Sequence, residues 1–318
     1  MPRPTLPSAT LGSGINLGNA LDAQDSSPRA LPPLPRYFDA IRAAGFDTVR
    51  LPVAWSAHAA EGAPFTIEED FFQRVDRAID EALAWDLNVV LDVHHYHALN
   101  DAPDAQTKRF LALWHQIAPR YADRPDRLCF ELLNEPRAAL TPERWNALLR
   151  QALAAVRESN PERTVVIGSA EMNDIHGLPK LDLPDDDHLL VTVHYYSPFP
   201  FTHQGAHWVA NSAPWLGTTW GEEADRKAVS DDLTLAANWA ETMEVPLFIG
   251  EFGAYERADM DSRARWTACV RETADRLGMS WAYWEFATDF GAYDPETDTW
   301  REPLRQALLP SGESSSQG

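Results

Sequence analysis

Two glutamates carry the most chemical promise in this chain. Glu135 sits in Phe130-Glu-Leu-Leu-Asn-Glu-Pro136, and Glu251 in Phe248-Ile-Gly-Glu-Phe-Gly253. Each closes an apolar run of the kind that forms a buried strand. Pro136 has no N–H to give to a ladder, so the first strand is expected to stop there. Neighbours on a pleated strand face opposite sides, so Asn134 and Glu135 can share a site only where the backbone leaves the pleat, as at the mouth of a barrel. Two carboxyls on separate strand ends, with no metal or cofactor motif beside them, suit cleavage of a glycosidic bond. One must keep its proton for the leaving oxygen, and burial or a neighbouring carboxylate does that. The other must stay ionised to attack the anomeric carbon or to activate water, and Arg50 and Tyr196 are the right residue types to keep it so. Gly250 and Gly253 flank Glu251 and are expected to let a sugar approach the backbone closely.

The elements that must position these groups follow from hydrophobic pattern and punctuation. Apolar strands are expected over 14–21, 48–55, 88–95, 128–134, 164–169, 188–196, 246–253 and 280–286. Helices are expected over 34–45, 66–85, 105–121, 141–159, 231–244, 261–277 and 304–309. Gly45 reads as a stop signal, Thr66-Ile-Glu-Glu69 as a capping box, and Thr141 with Pro142 as N-cap and first helical residue. Residues 197–230, with Trp208, Trp215 and Trp220, read as one long irregular segment. Continuous apolar strands separated by helices imply a parallel sheet covered by helices. Eight such units predict an α/β fold, a single (β/α)8 TIM barrel spanning 1–310 followed by a disordered tail at 311–318. An open doubly wound sheet fits less well, because no glycine-rich phosphate loop follows the first strand.

In such a barrel chemistry gathers at the C-terminal strand ends. Those ends carry Asn19 and Asp22, Arg50 and Trp55, His94 and His95, Asn134 and Glu135, Glu171, His194 and Tyr196, Glu251, and Trp284 with Glu285. Glu171 reads as an ordinary loop residue. The run His94-His-Tyr-His97 could ligate a metal, but its amide, Arg and Trp company suits sugar hydroxyls and ring faces better, so no metal and no cofactor are expected.

Composition narrows the partners. Among 318 residues, 27 Lys and Arg face 48 Asp and Glu, a net charge of −21. Nucleic acids and anionic membranes both need a basic surface, so neither is an expected partner. No apolar stretch is long enough to span a bilayer. Residues 1–10 lack the apolar core of a secretory leader, so the chain as written is expected in the cytoplasm, or outside the cell if a leader has been removed. Cys129 and Cys269 are expected as buried thiols. A monomer is expected.

The chain resembles glycoside hydrolase family 5, retaining β-glycanases on a barrel with catalytic glutamates on strands four and seven. The resemblance rests on Gly14-Ile-Asn-Leu-Gly-Asn19, Val49-Arg-Leu-Pro52, Leu91-Asp-Val-His-His95, Leu133-Asn-Glu-Pro136, Val193-His-Tyr-Tyr196, Ile249-Gly-Glu-Phe252 and Ala282-Tyr-Trp-Glu285. Phe110-Leu-Ala-Leu-Trp114 and Phe201-Thr-His-Gln-Gly-Ala206 are similar to its thermophilic endoglucanase/mannanase branch. Asp22 departs from that branch, where a longer Glu is expected. The resemblance implies that Glu135 is acid and base and Glu251 the nucleophile. Asn134 would bind the 2-hydroxyl of the sugar being cleaved, with His94, His95 and His194 lining the same subsite. Asn19 and Asp22 would also bind substrate. Arg50 and Tyr196 would hold Glu251, Trp284 would be a stacking platform, Glu285 a hydroxyl acceptor, and Trp208 would face the leaving group. The expected activity is an endo-β-1,4-glucanase acting on a β-1,4-linked polysaccharide or oligosaccharide, with mannan or glucomannan as further substrates. The alternatives are a dedicated endo-β-mannanase or xyloglucanase, a non-catalytic sugar-binding barrel, and a metal-dependent hydrolase built on the histidines.

Overall fold

The computed structural model describes residues 11–23, 31–32 and 34–310. The tail expected to be disordered at 311–318 lies outside the described residues. Eight parallel strands close into a barrel in chain order: β1 Ser13–Asn16, β2 Thr48–Leu51, β3 Asn88–Asp92, β4 Leu128–Glu131, β5 Val165–Gly168, β6 Leu189–Tyr195, β7 Leu247–Phe252 and β8 Ser280–Tyr283. Closure is parallel, with Gly14 beside Ala282 across the β1–β8 seam. Around it run α1 Pro35–Ala44, α2 Glu69–Ala84, α3 His97–Asp101, α4 Pro103–Arg120, α5 Pro142–Arg157, α6 Phe199–Thr202, α7 Glu223–Thr242, α8 Met260–Arg276 and α9 Glu302–Leu308. This is the expected (β/α)8 barrel.

Strand period sorts the side chains. Outward residues such as Ile15, Val49, Val89, Leu91, Phe130 and Ile249 merge with the helices into one large core. Inward residues form two different layers. The lower one is an apolar plug of Leu11, Val90, Cys129, Val166, Leu190, Phe248 and Ala282. Two positions further along, the same inward faces carry Asn16, Arg50, Asp92, Glu131 and Thr192, all fully buried. The barrel thus changes from oil to charge within one pleat. Cys129 is buried in the plug and Cys269 is buried on α8, as expected for unpaired thiols.

The strands are shorter than their apolar runs, because pairing stops where the chain bends over the barrel mouth. β4 ends at Glu131, well before Pro136, and Glu135 has a φ of 47°. The departure from the pleat is therefore real, but Pro136 does not cause it. Thr66 does not cap α2. Ile67 is drawn into an antiparallel bridge with Ala59, and Glu68 takes the N-cap position. Thr141 is the N-cap residue of α5 and Pro142 its first residue, as expected, although the Thr141 hydroxyl donates to Glu143 and makes no bond to a helix amide. The segment 197–230 is less irregular than expected. It contains α6 and a short 3₁₀ turn at Ala213–Trp215, and α7 begins at Glu223 behind a capping box made by Glu222 and Asp225.

The face opposite the mouth is held by Arg163. Its buried guanidinium donates to the carbonyls of Pro125 (2.7 Å), Leu128 (2.9 Å), Tyr121 (3.0 Å) and Arg124 (2.9 Å), closing the connection from α4 into β4. Arg163→Met keeps the stem and strands these acceptors. Urea unfolding should show a loss of roughly 3 kcal/mol or more, while the folded fraction keeps its turnover; a parallel loss of turnover would show that the two faces are not independent.

Candidate active site

At the C-terminal strand ends lies a cleft of about 760 Å³. Glu135, Glu251, Asn19, Asp22, His94, His95, Asn134, Tyr196, Trp208 and Trp284 line it. Three expected residues do not. Arg50, His194 and Glu285 are buried beneath its floor, at 0%, 5% and 0% exposure.

Arg50 is the hub of that floor. Nη1 donates to Glu251 Oε1 (2.8 Å) and to Asn16 Oδ1 (2.9 Å). Nε and Nη2 grip both oxygens of Glu131 (2.7 and 2.8 Å). Nη2 also reaches Asn134 Oδ1 (2.8 Å) and Asp92 Oδ2 (2.8 Å). One cation thus orients three carboxyls and two amides. Asn134, with its oxygen engaged, presents its amide nitrogen to the cleft. Asp92 also bonds His94 Nδ1 (2.7 Å). Burial drives Asp92 up to about 6, against the pull of Arg50. Burial likewise lowers His94 well below its usual range, so its ring is neutral.

Glu251 receives a second hydrogen bond from the Tyr196 hydroxyl at Oε2 (2.9 Å). Glu135 contacts His194 Nδ1 through Oε1 (3.0 Å) and Arg137 through Oε2 (3.3 Å). Oxygens of Glu135 and Glu251 lie within 4.8 Å of each other, with the His194 ring nitrogen equally near. Burial pushes both carboxyls up. Glu251 has the shorter donors, Arg50 at 2.8 Å and Tyr196 at 2.9 Å. Arg50 favours the ionised form of both carboxyls, and the charge of Glu135 raises Glu251 further. Two carboxyls this close disfavour a double anion, so the pair favours one anion and one acid.

The cleft walls are aromatic. Trp284 lies flat on His94, ring centroids 5.7 Å apart and 4° from parallel. Trp208 is 46% exposed and braced edge-on by Tyr255 at 4.9 Å. His95 Nε2 stands 3.5 Å from Asp22 Oδ2, and Asp22 Oδ1 accepts from Ala20 N. Asn19 donates to Thr288 at 2.7 Å. Among the described residues, two sets of side chains bring ligand-type atoms within 4.8 Å of one another, Asp22/His94/His95 and Glu135/His194/Glu251; in the second, Glu135 and His194 already pair with each other at 3.0 Å.

Three expectations change. Glu285 is no hydroxyl acceptor in the cleft. Its oxygens accept from the amides of Ala287 (3.0 Å), Thr288 (2.8 Å) and Phe290 (3.2 Å), so it shapes the loop that carries Phe290 and Asp289 to the cleft; burial pushes it up to about 7. His194 is wedged between the two glutamates and does not line the sugar site. Gly250 and Gly253 answer to packing. A Cβ at Gly250 would lie 2.5 Å from Thr192 Oγ1, and one at Gly253 would lie 1.9 Å from the Trp284 carbonyl. Asn16, Asp92, Glu131 and Arg137 were missed. For the first three, the available signal was a polar residue recurring on the inward face of successive apolar strands.

Residues 21–289 match the family model for cellulase, glycosyl hydrolase family 5. The chain is 30% identical to endoglucanase H of Acetivibrio thermocellus over 95% of its own length, but spans only 33% of that protein. It is 29% identical to endoglucanase A of Ruminococcus albus, covering 91% of this chain and 86% of that one. Among solved structures it is similar to Thermotoga maritima Cel5A in complex with mannotriose (44% identity, TM-score 0.93, 95% and 100% coverage). The same protein in complex with cellobiose matches at 45% identity and TM-score 0.93, again over 95% and 100% of the two chains.

Arg137 favours the ionised form of Glu135. In Arg137→Ala that support is gone, so Glu135 holds its proton to higher pH. Its midpoint, followed by carboxyl ¹³C NMR, and the alkaline limb of any activity needing that proton should both move up. A downward or absent shift would remove Arg137 from the site's electrostatics.

Proposed function

Because the chain belongs to glycosyl hydrolase family 5, we propose that it is a retaining endo-β-1,4-glucanase. Glu251 is the nucleophile, and Glu135 is first the acid and then the base. The carboxyl spacing carries this reading. The nearest oxygens of the two groups lie within 4.8 Å of each other, which supports the shorter separation of about 5–5.5 Å used by retaining enzymes over the about 6.5–9.5 Å that inversion needs for its water.

The steps follow from the geometry. Glu251, held ionised by Arg50 and Tyr196, attacks the anomeric carbon. Glu135 gives its proton to the departing glycosidic oxygen. A glycosyl ester forms on Glu251; water then attacks the anomeric carbon and gives its proton to Glu135, now a carboxylate, while the ester bond breaks and frees Glu251 as a carboxylate. Asn134 offers its N–H to the 2-hydroxyl of the sugar being cleaved. Trp284 supports that sugar's face, His94, His95, Asp22 and Asn19 bind hydroxyls around it, and Trp208 meets the leaving group. All of these come from one chain, which supports a monomer as the working unit.

The names of the curated relatives support glucan as substrate. The cellobiose and mannotriose complexes of the Thermotoga protein support a site that also accepts mannan. A substrate panel of carboxymethyl-cellulose, glucomannan, galactomannan, xyloglucan and xylan tests this: turnover confined to mannan or xyloglucan would replace the glucanase reading. Activity should be insensitive to EDTA.

Glu135→Gln and Glu251→Gln should each stay folded and lose at least about 100-fold in kcat, the contribution of one proton-transfer group or more. NMR of early products should show the β-anomer first; the α-anomer would mean inversion. Azide should rescue Glu251→Ala to an α-glycosyl azide and, on a substrate with an activated leaving group, Glu135→Ala to the β-azide. Swapped products would exchange the two roles.

A further inference from the structure

We infer that Asn173 is a positioning residue that holds His194 as its Nδ1–H tautomer, so that the proton on Glu135 is reserved for the leaving oxygen. The mechanistic half of this rests on the family-5 reading of Glu135.

Asn173 lies in a turn where Glu171, Met172 and Asn173 all have left-handed φ, at 70°, 66° and 57°. Such a run is costly for non-glycine residues and persists only where its surroundings hold it. Here it ties two strand ends together. The Met172 amide donates to the Pro136 carbonyl (3.1 Å), next to Glu135, and the His194 amide donates to the Asn173 carbonyl (2.9 Å). Asn173 is fully buried. Its Nδ2 lies 3.4 Å from His194 Nε2, and its Oδ1 has no partner. That oxygen occupies the space above Gly168, where a Cβ would come within 2.1 Å of it.

Hydrogen-bond inventory fixes the protons. His194 Nδ1 faces Glu135 Oε1 at 3.0 Å and Glu251 Oε2 at 3.5 Å. On the family-5 reading Glu251 is the ionised carboxylate and only accepts, so the Nδ1 that faces it carries hydrogen. Burial keeps the ring neutral, so Nε2 is then bare and needs a donor. The Asn173 amide N–H supplies it. Turning the amide over would set its oxygen against that bare nitrogen, and the contact with Nε2 would be lost. The consequence falls on Glu135. A bare Nδ1 at 3.0 Å would accept that carboxyl's proton and hold it away from the cleft. An Nδ1–H cannot accept it.

Glu135 is faced by Arg137 from the loop after β4, His194 from β6, Glu251 from β7, Arg50 from β2 and His95 from the end of β3. Glu251, Arg50, Glu131 and Asp92 act on His194 from the same floor. Asn173→Asp puts a carboxylate against Nε2, which then takes a proton. The ring becomes an imidazolium beside Glu135 and favours its ionised form.

The test uses the intact chain labelled with [¹⁵N]histidine, with His194 assigned by difference against His194→Gln. Wild type should show one neutral ring with pyrrole-type Nδ1 and pyridine-type Nε2. The opposite tautomer, or an imidazolium at neutral pH, overturns the inference. In Asn173→Asp both nitrogens should become protonated, the alkaline limb of kcat should move to lower pH, and kcat at neutral pH should fall roughly tenfold or more. A fall equal at all pH with the limb unmoved would leave Asn173 a packing residue and overturn it too. If that variant does not fold, the wild-type spectrum decides alone. The spectrum is read whether or not Glu135 is the acid; failure of the family-5 reading would show instead as activity surviving in Glu135→Gln.

Discussion

The site depends on one buried cation. Arg50 stands inside a barrel whose lower half is a hydrocarbon plug, and its charge there is tolerable only because every donor finds an anionic or amide oxygen. Removing a partner from such a buried ion pair costs about 3–5 kcal/mol, because a charge is left without compensation. The same constraint read in reverse positions the chemistry. Glu131, Asp92 and Asn16 hold the guanidinium from below and the side, so it has one direction left in which to meet Glu251 and Asn134. The nucleophile is aimed by a fork whose handle is clamped.

More negative charge is available on that floor than Arg50 can neutralise, and the excess is handled by protons. Burial raises Asp92, Glu135 and Glu251 alike, and hydrogen bonds decide which of them holds its proton longest. The neutral imidazoles of His94 and His194 add donors without adding charge. Left-handed residues gather on the same rim. Asn19, His95, Glu135 and the turn Glu171–Asn173 all bend the chain sharply over the mouth, which is why pairing stops early and why successive side chains can face one cleft.

Much of this was legible in the sequence because the informative residues interrupt strong patterns. Asn134-Glu135-Pro136 and Glu251 end apolar runs, and Arg50 is a charge inside one. Glu131 was not legible. It sits three residues before Asn134 in an apolar stretch, and only the register between β4 and its neighbours turns it inward toward Arg50. Glu285 misled for the opposite reason: a strand-end glutamate looks the same whether it faces a ligand or binds backbone amides of the loop after it. Asn173 carried no signal, since its role comes from a backbone turn that neither periodicity nor composition encodes. The early start of α7 was hidden because Glu222 is a weak N-cap residue by type and acts only with Asp225.

Asn16 lies on the first strand, yet its amide donates to the carbonyls of Gly250 (2.9 Å), Ala282 (3.3 Å) and Tyr283 (3.2 Å), on the last two. The same residue accepts from Arg50. The clasp that steadies the nucleophile's cation therefore joins the earliest and latest parts of the barrel to be made. A barrel left open at that seam would hold Arg50 and Glu135 but lack the Asn16 contacts that fix the guanidinium, so closure of the barrel and alignment of its cation are one structural event.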